Sequence, residues 1–125
     1  MGIILIVDDE CVIAELLAYG LEDEGYTVIK AHNAKEGLKL LARDKPDLVI
    51  TDFMMPGMNG AEFACSIRAI PGFEMLPIVL MTGGHRALAD GSPELFYKVI
   101  TKPFDLRNML TLVAEILGLP STPED

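Results

Sequence analysis

Cysteine is scarce in this chain: Cys11 and Cys65 are the two among 125 residues. They make no CxxC pair and no Cys/His cluster, which excludes a zinc site and a disulfide framework. Both are expected as small buried apolar residues in a reducing compartment. Long apolar runs are also missing. Stretches such as Ile3–Val7 fall far short of the roughly 20 residues that cross a bilayer. No basic stretch precedes the first apolar run, so a secretory signal is not expected. Positive charge is in deficit, with 10 Lys and Arg against 19 Asp and Glu and a net charge of −9. That balance argues against non-specific binding to nucleic acid or to anionic membranes. Repeats and low-complexity tracts are absent too. The expectation is a cytoplasmic domain with neither membrane nor direct nucleic-acid contacts.

What the chain does have is apolar material, 50% of its residues, enough for a core in one domain of this length. It is distributed in a regular alternation. Ile3–Val7 is continuously apolar, the mark of a strand covered on both faces. Leu48–Ile50, leading into Thr51 and Asp52, is similar, and so are Pro77–Met81 and the shorter Val99–Thr101. Thr27–Ala31 is weaker and mixed. Helical spacing fills the gaps. Val12, Ile13, Leu16, Leu17 and Leu21 recur every three or four residues, predicting an amphipathic helix over Glu10–Glu24, with Gly25 as its terminator. Asn33 with Glu36 and Asn59 with Glu62 have capping-box spacing. Asp105 opens a last helix with Leu106, Met109, Leu110, Val113 and Leu117 on one stripe, and Gly118 and Pro120 close it. Gly83, Gly84, Gly91 and Pro93 predict a short or irregular helix over Gly83–Leu95. Residues 1–118 then form the domain, and Leu119–Asp125, with two prolines and two terminal acids, reads as a tail or linker stub.

Five strand–helix repeats predict an α/β domain: a doubly wound parallel sheet with helices on both faces. Ligands of such sheets bind beyond the carboxyl ends of the strands. Polar residues collect there. Asp8, Asp9 and Glu10 follow the first strand, Asp52 ends the third, Thr82 follows the fourth and Lys102 the fifth. Each alone has an ordinary explanation, such as a helix-dipole partner, a turn residue or a solvated charge. Four strands delivering such groups to one rim is harder to dismiss. Crowded carboxylates raise one another's pKa unless a cation intervenes, and an all-oxygen set suits Mg²⁺. An aspartate beside such an ion can attack phosphorus. A lysine and a hydroxyl then steady the phosphoryl oxygens.

The ordered motifs Ile6-Val7-Asp8-Asp9-Glu10, Asp52-Phe53-Met54-Met55-Pro56-Gly57-Met58-Asn59-Gly60, Met81-Thr82-Gly83 and Lys102-Pro103-Phe104 resemble the receiver domain of two-component response regulators. The likeness covers roughly residues 3–118. It implies a flavodoxin-like five-stranded sheet of order 2-1-3-4-5. It implies Asp52 as phosphoacceptor. Asp9, Asp52 and the Met54 backbone carbonyl match the direct Mg²⁺ ligands, and Asp8 the acid acting through a metal-bound water. Thr82 matches the switch hydroxyl and Lys102 the phosphate-contacting lysine, with a cis Lys102–Pro103 bond. It implies a histidine kinase or histidine phosphotransfer protein as donor, docking near Cys11, Glu15 and Met58, and an unidentified output partner or attached domain. On this reading the chain is not an enzyme toward outside substrates; it catalyses its own phosphorylation and dephosphorylation at Asp52. Within 125 residues there is no output domain, so a stand-alone regulator and a receiver cut from a longer protein both fit.

Val99 departs from the pattern, standing where the family commonly has Tyr or Phe. A valine cannot swing a ring between buried and exposed positions, so the switch involving Thr82 and Val99 must use backbone and loop shifts. Tyr97 would replace that ring only in a shifted register. At the rim, Met54 is expected to shield one approach to the phosphoryl group while Gly84 leaves another open to water. His32 and His85 read as solvated loop residues. Two other functions fit parts of the pattern. A Mg²⁺-dependent phosphohydrolase would need an acid two residues after Asp52, where Met54 stands. A receiver-like scaffold that never takes phosphate would have no need of the acids, Thr82 and Lys102.

Overall fold

The computed structural model describes residues 2–83 and 93–118. Five strands, β1 (Ile3–Val7), β2 (Thr27–Ala31), β3 (Leu48–Asp52), β4 (Ile78–Thr82) and β5 (Lys98–Thr101), alternate with α1 (Cys11–Asp23), α2 (Ala34–Asp44), α3 (Gly60–Arg68) and α4 (Leu106–Leu117). Pro93–Leu95 forms a single 3₁₀ turn before β5. All pairings are parallel, in the order β2-β1-β3-β4-β5. The expectations for Gly84, for His85 and for the tail 119–125 lie outside the described residues.

Burial explains the strand signals. β3 and β4 are buried at every residue and β1 at four of five, hence their unbroken apolar runs. β2 and β5 are the sheet edges and are half-exposed, hence their mixed sequences. The two faces take alternate residues. Leu5, Val7, Val49, Ile78 and Leu80 face α2 and α3, meeting Leu41, Phe63 and Ile67. Ile4, Ile6, Ile50, Val79 and Met81 face α1 and α4, meeting Leu17, Leu21, Met109 and Val113.

The caps follow the sequence chemistry. Asn59 and Glu62 form a full reciprocal capping box. Asn33 accepts from the Glu36 N–H, while the Glu36 carboxylate reaches one residue further back to the His32 N–H. Asp105 accepts from the Arg107 N–H. Gly25 takes φ +104° just past α1, a left-handed turn suited to glycine.

Two expectations are corrected. The buried stripe of α1 runs through Ala14, Leu17, Ala18 and Leu21, leaving Val12 79%, Leu16 46% and Tyr19 77% exposed. Small residues turn the helix: a Cβ at Gly20 would sit 3.2 Å from Leu106, so α1 approaches α4 along this side. Cys11 and Cys65 are both exposed rather than buried. Cys11 opens α1, and Cys65 lies off the inward face that α3 forms with Phe63, Ala64 and Ile67. Among the described residues, no helix is long and apolar enough to cross a membrane.

Candidate phosphoacceptor site

Parallel pairing sets the depth of each strand's last residue. Val7 is level with Thr51, Asp52 with Met81, and Thr82 with Thr101. The residues that end or follow β1, β3, β4 and β5 therefore meet at one rim. Asp8, Asp52 and Thr82 are all buried there, the first and last completely and Asp52 to within 5%. Their burial is unusual for such groups and signals a built site.

The loop after β3 is folded tightly to hold Asp52. Gly60 donates its N–H to the Phe53 carbonyl at 2.8 Å. A Cβ at Gly60 would lie 2.6 Å from the Asp52 carbonyl oxygen and 2.9 Å from Phe53 Cα. Only glycine permits that approach. The Asp52 carboxylate is fixed through one oxygen. Oδ1 accepts from the Phe53 N–H at 3.1 Å and from Lys102 Nζ at 2.9 Å. Lys102 is held in turn by its backbone, whose N–H donates to the Thr82 carbonyl at 2.7 Å, and the Lys102–Pro103 bond is cis.

Carboxylate oxygens of Asp8, Glu10 and Asp52 all lie within 4.8 Å of one another. Asp8 Oδ1 accepts from the Glu10 N–H at 2.9 Å. Asp8 Oδ2 is buried and has no hydrogen-bond partner among the described residues. Burial, together with the charges of Asp52 and Glu10, pushes the Asp8 carboxyl up from 3.8 to about 6, against the Glu10 N–H and the Lys102 charge. Burial also raises Asp52; Lys102 and the Phe53 N–H oppose this, and the nearby charge of Asp9 adds to it. For Lys102, burial lowers the pKa, but Asp52, Asp8 and Glu10 outweigh it and the net shift is upward. A buried oxygen without a donor, in an all-oxygen set of mutually repelling acids, fits a hard divalent cation such as Mg²⁺.

The structure thus gathers Asp8, Asp52, Thr82 and Lys102. Asp9 is exposed and is not a member of the three-carboxylate cluster; Glu10 is. Met54 follows on the loop and is exposed. Val99 is half-buried on β5, level with Leu80. Tyr97 points elsewhere, donating its hydroxyl to Glu115 at 3.0 Å. Sequence reasoning placed Glu10 among the acids after the first strand but gave it no role of its own in the site.

The response regulator receiver domain family matches residues 4–114. The chain belongs to that family. This receiver is 40% identical over 118 residues to an uncharacterised 14.6 kDa protein of Leptolyngbya boryana, covering 90% of this chain and 87% of that protein. It is 34% identical over 116 residues to the phosphate regulon transcriptional regulatory protein PhoB of Pseudomonas aeruginosa, covering 91% of this chain and 51% of PhoB. The receiver therefore spans about half the length of that relative. Among solved structures it resembles the response regulator TrrA of Thermotoga maritima in complex with Mg²⁺-BeF. That match has 36% identity and a TM-score of 0.84, covering 94% of this chain and 100% of TrrA. Receiver domains take phosphoryl groups from histidine kinases, and the acidic pocket of Asp8, Glu10 and Asp52 fits a phosphoacceptor site.

Proposed function

We propose that Asp52 is the residue that takes the phosphoryl group, from a phosphohistidine on a kinase or phosphotransfer protein. The carrying observation is a nearly buried carboxylate with an ammonium at 2.9 Å beside an acid whose second oxygen has no donor among the described residues. Asp8, Asp9, Asp52 and the Met54 carbonyl are the oxygens available for Mg²⁺. When bound, the ion supplies positive charge that offsets the carboxylates and the transferring group.

Asp52 Oδ1 already accepts two hydrogen bonds, which leaves Oδ2 to attack phosphorus. The Oδ2–P bond forms, the P–N bond to the donor imidazole breaks, and the ring leaves with the electron pair and takes up a proton. Lys102 then neutralises a phosphoryl oxygen, and the Thr82 hydroxyl donates to another. Because the Lys102 N–H is bonded to the Thr82 carbonyl, both groups move with the β4–β5 ladder, and the backbone carries the switch that the valine at position 99 cannot make by ring rotation. Val12, Leu16 and Tyr19, exposed one helical turn apart on α1, supply an apolar surface for the donor beside the site. The output partner reads the shifted population.

Incubation with acetyl phosphate and MgCl₂ tests the assignment. Intact mass should rise by one phosphoryl group, and Asp52→Asn should abolish the rise. Absence of any mass change with every donor tried would leave the non-phosphorylated scaffold as the better reading.

A further inference from the structure

Glu10 stands at the capping position of α1 and does not cap it, since its side chain makes no hydrogen bond there. Asn33, Asn59 and Asp105, at the same position of the other three helices among the described residues, all do. The Glu10 carboxylate turns into the acid pocket instead. Its Oε1 lies 3.5 Å from Lys102 Nζ, and it completes the cluster with Asp8 and Asp52. The cluster is more than a group of surface acids, because it contains the fully buried Asp8, whose Oδ2 has no partner among the described residues.

We propose that Glu10 is a positioning residue of the phosphoacceptor site, restraining the Lys102 ammonium in the resting protein and lending its charge to cation binding. The inference rests on the reading of Asp52 as acceptor. Among the described residues, Lys102 has two anionic partners of unequal grip. The Asp52 side chain is 2.9 Å away and 7% exposed, while that of Glu10 is 3.5 Å away and 62% exposed. The longer, wetter contact is the easier one to break. A phosphoryl group on Asp52 brings extra negative charge and three acceptor oxygens, so Lys102 exchanges Glu10 for them. Before that, Glu10 acts in two opposite directions. Its charge favours a divalent cation beside Asp8 and Asp52. The same charge repels an anionic phosphodonor and keeps the ammonium engaged.

Glu10→Gln separates these effects in the full chain. Calorimetric titration with MgCl₂ should show about three- to tenfold weaker binding than the unaltered protein. At saturating MgCl₂, phosphorylation by acetyl phosphate, followed by intact mass, should become about two- to fivefold faster. Glu10→Asp keeps the charge and should recover most of the Mg²⁺ affinity. Unchanged affinity in Glu10→Gln overturns the proposal even where Asp52 is phosphorylated normally, as does a rate at saturating MgCl₂ that is unchanged or slower. An unaltered chain that binds Mg²⁺ yet takes no phosphoryl group would refute the acceptor assignment, and the calorimetric comparison would still decide the role of Glu10.

Discussion

The two ends of the sheet differ in what their charged side chains meet. At the amino-terminal end, described polar side chains close backbone gaps. Asp47 accepts from the Ile3 N–H at 2.9 Å. Tyr26 donates to the Gly118 carbonyl at 3.1 Å. Arg68 donates to the carbonyls of Phe73, Leu76 and Leu95, tying α3 to the segments that enter β4 and β5. At the carboxyl end the carboxylates of Asp8, Glu10 and Asp52 crowd one another, and Asp8 Oδ2 is buried without a partner among the described residues. One end thus satisfies backbone groups, while the other gathers carboxylate repulsion of the kind a divalent cation offsets.

Perturbing either end should give effects of opposite character. The largest is expected from Arg68→Ala, which removes the donor to three carbonyls and should cost about 3–4 kcal/mol in urea unfolding. Mg²⁺ affinity should be unchanged, because Arg68 lies at the far end of the strands. A parallel loss of Mg²⁺ binding would break the division between the ends.

Asp8→Asn should act in the other direction. Without Mg²⁺ at pH 8 it should stabilise the fold by about 2–3 kcal/mol, since it removes a buried, poorly satisfied charge. The rise in Tm that MgCl₂ gives the unaltered protein should largely disappear. A destabilised Asp8→Asn variant would show that the Glu10 N–H contact outweighs the repulsion.

The pH profile follows from the same group. The Asp8 carboxyl is raised from 3.8 to about 6, so the folded state binds more protons than the unfolded chain between those values. Its contribution therefore favours folding at low pH and is lost as pH rises through about 4 to 6, amounting to roughly 2–3 kcal/mol. Urea unfolding of the metal-free protein across this window, set against Asp8→Asn, isolates that slope. Equal slopes in the two proteins would remove Asp8 as its source. The smallest effect is expected from Tyr26→Phe, which loses one hydrogen bond and should cost about 1 kcal/mol, with phosphorylation unaffected.

Legibility in the sequence followed burial. β1, β3 and β4 announce themselves because both faces are covered, and the polar residues that end those runs mark the rim directly. β2 and β5 were harder to read because an edge strand is half solvent. The phase of α1 was misread because its inward side is partly built from Ala14, Ala18 and Gly20, residues with little hydrophobic signal, while Val12 and Leu16 carry a strong one and face out. The exposure of Cys11 and Cys65 went unforeseen for a related reason: position on a helix, not side-chain polarity, decided it. Asp52, Thr82, Lys102 and the β1 acids were legible as a set. The turn of Glu10 toward Lys102 was not, because it depends on a competition between capping a helix and joining an ion pair that spacing does not reveal.

The hydrogen bond from the Lys102 N–H to the Thr82 carbonyl joins two neighbouring chain segments just where each delivers its functional side chain. Lys102 follows β5, an outermost strand of the sheet, and Thr82 ends its inner neighbour β4. From the Thr82 backbone the edge of the sheet is therefore one hydrogen bond away.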